Sequence, residues 1–234
     1  MSATLRPARS LADELRARSD ENLRELFLLR PDLLSPLPTD ITALAARASA
    51  APSIARVLDG LTTWEIQVLE TIAVLSEPVS MEALLAITGD NAIAPVVKFR
   101  ALALIYMDEE HIRILNSVRE SLGPEPAGLG PVGFGAKDRW LKKIDAAPPA
   151  AQAMLEKLTW GPPRGTVSDT KKPTSTISWL MENQLLVPID GQTVALPREV
   201  GIYLRGNKVH RERFDIPPDF VGKELALEDV DSAA

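Results

Sequence analysis

Apolar residues recur at three- and four-residue spacing through the first part of the chain, a pattern that predicts amphipathic helices. Two segments, SLADELRARS and SDENLRELFLLRPDLL, each open on a serine followed by acidic residues, as expected where a helix begins. Two more, PTDITALAARAS and APSIARVLDGL, continue in the same style. The apolar stripe of this region contains Leu11, Leu15, Leu23, Leu26, Phe27 and Leu33. We therefore predict an N-terminal helical domain over residues 1–60.

An internal repeat organises the rest of the chain. Residues 101–122, ALALIYMDEEHIRILNSVRESL, align without a gap on residues 183–204, NQLLVPIDGQTVALPREVGIYL. Identical residues fall at Leu104 and Leu186, Asp108 and Asp190, Val118 and Val200, and Leu122 and Leu204. Upstream, QVLETIAVLSEPVS lies over AMLEKLTWGPPRGT at a slightly different offset. Two copies of one small unit follow from this similarity.

The first copy reads as three helices and a hairpin. Its first helix has Thr62 or Thr63 as N-cap and ends at Pro78, with an apolar stripe of Trp64, Val68, Leu69, Ile72 and Leu75. SMEALLAITG gives a short second helix, capped by Ser80 and stopped by Gly89. The third helix spans roughly residues 92–103. Two short strands around the polar tip Asp108-Glu109-Glu110-His111 then form a hairpin.

The second copy is predicted to repeat this order with different connecting segments between its elements. It has a helix around residues 151–160, a Gly/Pro/Lys-rich stretch at 161–173, a helix near 176–184 and a hairpin turned by Asp190-Gly191. Three helices followed by a two-stranded hairpin are the plan of the winged helix, an elaboration of helix-turn-helix.

The predicted fold class is therefore mainly α with short β-hairpins: an N-terminal helical domain followed by two winged-helix domains. The first winged helix occupies residues 61–123 and the second residues 150–206. A Gly/Pro-rich linker at 124–149 contains a short helix near Lys137–Ile144. Residues 207–234 form a tail that is first basic and then acidic, with extended or disordered chain expected beyond Phe214.

The N-terminal half also resembles a known family. The similar features are Leu11-Ala12-Asp13, Arg30-Pro31-Asp32-Leu33, Pro36, Pro38, Asp40, Leu44, Ala45, Arg47, Leu58-Asp59, Gln67-Val68-Leu69-Glu70 and the phrase FRALALIY. Over about residues 10–123 they resemble the N-terminal region of helicase-associated, XPB-type helicase N-terminal-like proteins of high-GC Gram-positive bacteria. The resemblance implies association with helicase or DNA-repair machinery and assigns no activity to this region. Since members of that family are much longer, it also implies an N-terminal fragment or a short relative.

Composition narrows the class of protein further. The chain has 234 residues, 45% of them hydrophobic, and no cysteine, so a disulfide framework and a thiolate nucleophile are excluded. Apolar runs stay short of the roughly 18 residues that span a bilayer, and the N-terminus lacks an apolar signal region. We therefore expect a cytoplasmic protein with no membrane partner, with nucleoid association as a further option.

Charge is distributed unevenly between the two units. The net charge is -6, and residues 61–123 hold nine acidic side chains against four basic ones. The third helix of the first unit offers only Lys98 and Arg100, whereas basic residues surround the third helix and the hairpin of the second unit. The candidate nucleic-acid contacts are therefore Arg164, Lys171, Lys172, Arg205, Lys208, Arg211 and Arg213. A solvated charge cluster is the competing interpretation of these residues.

Catalytic and metal chemistry find little support in the sequence. Asp108-Glu109-Glu110-His111 has the residue types of a metal site, but four consecutive residues at a hairpin tip point apart and the second copy keeps only the aspartate, which favours a solvated turn. GPVGFGAKD has the glycine spacing of a phosphate loop, but Ala136 replaces the lysine, so a linker is the better interpretation. We predict no enzymatic activity, no metal and no cofactor.

Two functions remain. The first is a non-enzymatic tandem winged-helix module of a helicase-associated DNA-binding protein, in which the second unit contacts DNA and the first unit docks on a protein. Its partners would be DNA and a helicase, another repair or transcription protein, or the C-terminal domains of a longer chain. The alternative is a docking or assembly scaffold that makes no direct contact with nucleic acid, which the acidic first unit favours.

Overall fold

The structure is a computed structural model that describes residues 10–133 and 137–215, with only the backbone of residues 137–139. The predicted character of the chain beyond Asp215, and the middle of the segment weighed as a phosphate loop, lie outside the described residues. The described part is mainly helical with two small three-stranded antiparallel sheets, which confirms the mainly α class with short hairpins.

Four helices form the N-terminal region: α1 (Leu11–Arg16), α2 (Asp20–Leu29), α3 (Ile41–Ala48) and α4 (Ala51–Leu58). A 3-10 turn at Pro31–Leu34 separates α2 from α3. The predicted serine caps are confirmed, because the hydroxyls of Ser10 and Ser19 accept backbone N–H groups at the starts of α1 and α2. A side-chain acceptor at this position satisfies one of the amides that a helix start leaves unpaired.

The first unit contains four helices and a sheet. Its elements are α5 (Thr63–Val74), β1 (Val79–Ser80), α6 (Met81–Thr88), α7 (Ile93–Ala101), β2 (Ile105–Asp108), β3 (His111–Ile114) and α8 (Asn116–Ser121). Thr62 caps α5 and Ser80 caps α6, as predicted, and α6 ends at Gly89 with a positive φ of 72°. The strand order is β1-β3-β2, so the short strand before α6 adds to the outer side of the hairpin.

The second unit follows a helix in the linker. The elements are α9 (Lys137–Asp145), α10 (Pro149–Trp160), β4 (Arg164–Thr166), α11 (Ser175–Glu182), β5 (Val187–Pro188), β6 (Thr193–Ala195) and α12 (Arg198–Leu204). The strand order β4-β6-β5 matches that of the first sheet. The central strands correspond in register, since Val79 pairs with Ile112 and Gly165 pairs with Val194.

The repeat is confirmed at the level of secondary structure, with one difference. Helices α11 and α12 begin where the alignment of the two copies places the counterparts of α7 and α8. Residues 167–174, between β4 and α11, contain no helix, so the second unit has no counterpart of α6. This agrees with the predicted Gly/Pro/Lys-rich stretch at 161–173, for which no helix was expected. Pro173 and the polar stretch around it do not provide the apolar periodicity that a buried helix needs.

The hydrophobic cores do not follow the predicted boundary at residue 60. One core contains residues from the N-terminal helices and from the first unit, including Leu26, Leu33, Leu69 and Phe99. A second core lies within residues 140–200. Val74, Leu129 and Val209 form a small third cluster that joins α5, the linker and the chain after α12.

Most of the described linker packs on the second unit. The backbone N–H of Arg198 donates to the Pro131 carbonyl at 2.8 Å, and the N–H of Gly133 donates to the Glu199 carboxylate at 2.8 Å. A Cβ at Gly130 would lie 2.1 Å from the Leu196 carbonyl oxygen, so only glycine permits this approach.

Candidate functional site

Helix α7 is the third helix of the first unit, and both of its cationic side chains are paired. The Lys98 ammonium lies 2.7 Å from the Glu65 carboxylate on α5. The Arg100 guanidinium lies 2.7 Å from the carboxylate of Glu14, which is itself buried. Neutralised cations contribute little to phosphate binding, so α7 lacks the charge that non-specific DNA affinity requires.

The solvent side of α7 is apolar instead. Val97 is 64% exposed and Ile93 is 46% exposed, one helical turn apart. Exposed apolar side chains close together, such as this pair on one face of α7, are typical of surfaces that bind another protein.

The C-terminal end of α7 is tied to the N-terminal helices. Arg18 donates to the carbonyls of Arg100 and Ala101. Arg30, whose side chain is fully buried, donates to the carbonyls of Leu102 and Ala48 at 3.0 Å each. Burial lowers the pKa of both arginines. The last carbonyls of a helix lack partners within the helix, so these guanidinium groups complete α7 while fixing it to its neighbours.

The tip of the first hairpin is a turn with one internal ion pair. The Asp108 carboxylate lies 3.2 Å from the Arg113 guanidinium on the opposite strand, and Glu109 adopts a positive φ of 57°. Within the described residues, no group of three or more His, Cys, Asp or Glu side chains is arranged to hold a metal ion. The turn of the second hairpin differs: the Asp190 carboxylate accepts the Gln192 N–H at 2.8 Å, and this bond lowers the pKa of Asp190.

The second unit carries two exposed lysines before α11. Lys171 and Lys172 lie in the turn between β4 and α11, and neither has an ion-pair partner among the described residues. The exposed surface at the start of α11 adds hydroxyl groups, since Thr174 and Ser175 are exposed. Arg164 on β4 is different, because its guanidinium pairs with Glu125 of the linker.

Arg205 is buried and not a surface residue, so the structure does not support its predicted role as a nucleic-acid contact. Its guanidinium is enclosed by backbone carbonyls and donates to Thr159 at 2.6 Å, Gly128 at 2.7 Å, Ala127 at 2.9 Å and Val209 at 2.9 Å. The ring of Trp160 lies 4.6 Å from it, a cation–π contact. Arg205 therefore joins α10, the linker and the chain after α12, and four of its five N–H groups donate to backbone carbonyls.

The remaining predicted cations lie beside the first unit rather than the second. Residues 206–215, which we call the strap, run from α12 back across α5. The Gln67 amide on α5 donates to the Glu212 carbonyl at 2.7 Å and accepts the Phe214 N–H at 3.1 Å. Lys208, Arg211 and Arg213 are strap residues. These three cations therefore lie beside the first unit, whereas Lys171 and Lys172 belong to the second unit. The sequence had assigned all five to the second unit.

His210 attaches the strap to α5. Its Nε2 donates to the Gln67 carbonyl at 3.0 Å and lies 3.6 Å from the Glu70 carboxylate. Burial lowers the pKa of His210, and the charge of Glu70 together with the Gln67 carbonyl offsets only part of this effect. Glu70 also accepts the Ala127 N–H at 3.0 Å, so one carboxylate contacts both the strap and the linker.

Two features of this surface are not indicated by the sequence. The exposed pair Ile93 and Val97 is one, since their four-residue spacing puts them on one face of α7 but does not indicate whether that face is buried. Trp64 was assigned only to the apolar stripe of α5, yet the Arg213 guanidinium lies 5.2 Å from its ring. No local pattern in the sequence indicates that pair, because its members are separated by most of the chain.

Comparisons of the chain with protein-family models, with curated proteins and with solved structures find no match. Among the described helices, none combines the length and apolar character needed to cross a membrane.

Proposed function

We propose that the chain is a non-enzymatic module of two winged-helix units in a helicase-associated DNA-binding assembly. The second unit contacts the DNA backbone through Lys171 and Lys172. The first unit and the N-terminal helices form the docking surface for a protein of that assembly.

The order of elements supports the winged-helix assignment. In the first unit a helix, a short strand, two helices and a hairpin follow one another, and the short strand pairs with the hairpin. Winged-helix domains combine a helix-turn-helix with such a hairpin. The second unit keeps the helix, the short strand, the third helix and the hairpin, and replaces the middle helix by the turn that carries Lys171 and Lys172.

The observation that carries the proposal is the difference in pairing between the cations of α7 and those of the turn before α11. The cations of α7 are held by Glu65 and Glu14, whereas Lys171 and Lys172 have no acidic partner among the residues that the structure describes. Free ammonium groups and exposed hydroxyls are the usual contacts to phosphate oxygens. The exposed apolar face of α7, with Ile93 and Val97, supports protein docking by the first unit.

Fluorescence anisotropy with labelled single- and double-stranded DNA, titrated over salt concentration, tests the DNA part. Each lysine that contacts a phosphate contributes about one unit to the slope of log affinity against log salt, so Lys171→Glu with Lys172→Glu should weaken binding and reduce the slope by about two. Lys157→Glu, an exposed cation on α10, is the control and should have a smaller effect.

Absent binding at low salt, or binding unchanged by reversal of both lysines, would reject the DNA part. The docking scaffold without nucleic-acid contact would then be the function that the surface of α7 supports.

A further inference from the structure

A cavity of about 250 Å³ lies between the strap and helices α5 and α6. Its apolar wall includes Trp64 and Ile87 from the first unit and Val209 from the strap. Its cationic wall consists of Lys208, Arg211 and Arg213. The cavity therefore combines apolar side chains with three positive charges contributed by one short segment.

The charge of this cavity differs from that of its surroundings. None of the residues that line it is acidic, although the first unit has nine acidic side chains against four basic ones and the net charge of the chain is -6. Arg213 is held by Asp215 at 2.6 Å and lies against Trp64. Lys208 and Arg211 are exposed and have no ion pair with any described residue. Two cations are thus available to a bound anion.

The size of the cavity limits what it binds. Clefts for drug-sized ligands occupy roughly 300–1,000 Å³, so this cavity suits a single side chain better than a nucleotide with its sugar and phosphate. A duplex or a long single strand would also bring many phosphates close to the acidic surface of the first unit, where like charges repel. A short peptide brings only a few charges and one apolar group.

We propose that the strap cavity binds an acidic peptide segment of a partner protein. One apolar side chain of the peptide enters between Trp64, Ile87 and Val209, and neighbouring carboxylates pair with Lys208 and Arg211. This inference rests on the proposed docking role of the first unit and specifies the chemistry of what docks there.

The walls of the cavity are already held in place. Gln67 fixes the strap through two hydrogen bonds, and His210 donates to the backbone of α5. Trp64 is positioned by a hydrogen bond from its Nε1 to the Asn91 carbonyl at 3.2 Å. A site whose walls are ordered in advance loses less conformational entropy on binding, so a single anchor side chain is sufficient for measurable affinity.

The experiment uses the full chain and fluorescein-labelled peptides Gly-Glu-Asp-X-Glu-Asp-Gly, in which X is Leu, Phe or Ser. Burial of an apolar side chain should make the Leu or Phe peptide bind about tenfold tighter than the Ser peptide. Lys208→Glu with Arg211→Glu should weaken the binding of that peptide by about tenfold or more, because attraction becomes repulsion. Both positions are exposed, and circular dichroism verifies that the double variant is folded.

Lys171→Glu with Lys172→Glu is the matched control, since it makes the same change in net charge on the second unit. It should leave peptide affinity unchanged while weakening DNA binding. The strap variant, Lys208→Glu with Arg211→Glu, should weaken peptide binding and leave DNA binding unchanged. Because DNA binding and peptide binding are measured separately on both variants, failure of the proposed DNA contact can be distinguished from failure of the peptide site.

Three results would overturn the inference. The first is equal affinity for the Leu, Phe and Ser peptides, or no binding of any of them. The second is peptide binding that the strap variant leaves intact. The third is displacement of the peptide by a single-stranded oligonucleotide whose own binding is lost in the strap variant, which would assign the cavity to nucleic acid.

Discussion

Arg205 stabilises the fold by donating hydrogen bonds to backbone carbonyls. Its four hydrogen bonds reach Thr159 on α10, Ala127 and Gly128 in the linker, and Val209 on the strap. Burial lowers the pKa of its guanidinium, because the charged form loses solvation, but an arginine remains charged at any ordinary pH. One side chain thus connects three segments that are far apart in sequence.

Replacement of this guanidinium should therefore be costly. We expect Arg205→Leu to lower the free energy of unfolding by about 3 kcal/mol, because several buried carbonyls lose their donors and each unpaired buried group costs roughly 1–3 kcal/mol. Urea unfolding followed by circular dichroism measures the change.

The control is Arg211→Leu, six residues further along the chain. Arg211 is exposed and has no hydrogen bond to a described residue, so its removal should change stability by less than about 0.5 kcal/mol. A loss of stability for Arg211→Leu as large as that for Arg205→Leu would contradict the structural role assigned to Arg205.

The sequence shows Arg205, Lys208, Arg211 and Arg213 as one basic group, RGNKVHRERF, and gives no indication of which member faces inward. The difference arises from tertiary structure. The chain turns at Gly206 with a positive φ of 67°, and the carbonyls that surround Arg205 come from distant segments. A local charge pattern predicts the presence of cations and does not predict their solvent exposure.

At the scale of elements, the strap is held to α5 by a histidine whose proton affinity depends on burial. His210 lies between the Gln67 carbonyl and the Glu70 carboxylate, with Arg205 as a nearby positive charge, and its pKa is lowered mainly by burial. In the unfolded chain a histidine titrates near about 6.5. The unfolded state therefore takes up the proton at a higher pH than the folded state.

Stability should consequently depend on pH. The contribution of neutral His210 is fully present above about pH 6.5 and is lost as the pH falls through the lower pKa of the folded state, because protonation then favours the unfolded chain. Most carboxylates titrate below about pH 5, so the interval between about 5 and 6.5 isolates histidine. Urea unfolding across this interval should show a decline in the free energy of unfolding.

His210→Gln should make that decline smaller, because glutamine does not titrate. The chain has one other histidine, His111 on β3, and His111→Gln is the matched control that should retain the decline. A pH dependence that disappears with His111→Gln and persists with His210→Gln would reject the assignment.

Local sequence patterns predicted elements well where apolar periodicity and caps agree. Thr62 and Ser80 begin their helices as predicted, and the alignment of the two copies places both hairpins correctly. The second hairpin turn lies at Asp190-Gly191 as predicted; Gly191 does not adopt a positive φ, and the Asp190 carboxylate accepts the Gln192 N–H within the turn. The missing middle helix of the second unit shows that similarity of flanking segments does not extend to the segment between them.

At the scale of the whole molecule, the N-terminal helices and the first unit share one core. Leu33 after α2 is fully buried in the same cluster as Leu69 on α5 and Phe99 on α7. Arg30 adds a polar connection, because its guanidinium joins the carbonyl of Ala48 to that of Leu102. The all-helical pattern of residues 1–60 suggested a boundary, but apolar periodicity shows only that a face is buried and does not show against which partner.

A substitution in the N-terminal helices should therefore destabilise the first unit as well. We expect Leu33→Ala to reduce the free energy of unfolding by roughly 2–5 kcal/mol, because it leaves a cavity in the shared core. Hydrogen exchange of backbone amides measures where the stability is lost: protection should fall by a similar free energy in α3, α5 and α7.

Leu34→Ala is the matched control, since Leu34 is 41% exposed and its replacement should change protection by less than about 0.5 kcal/mol. Protection lost from α3 and α4 alone, with α5 and α7 unchanged, would instead establish two independently folding parts and restore the boundary at residue 60. A shared unfolding unit has a functional consequence, because a protein that docks on α7 would then stabilise the N-terminal helices to the same extent.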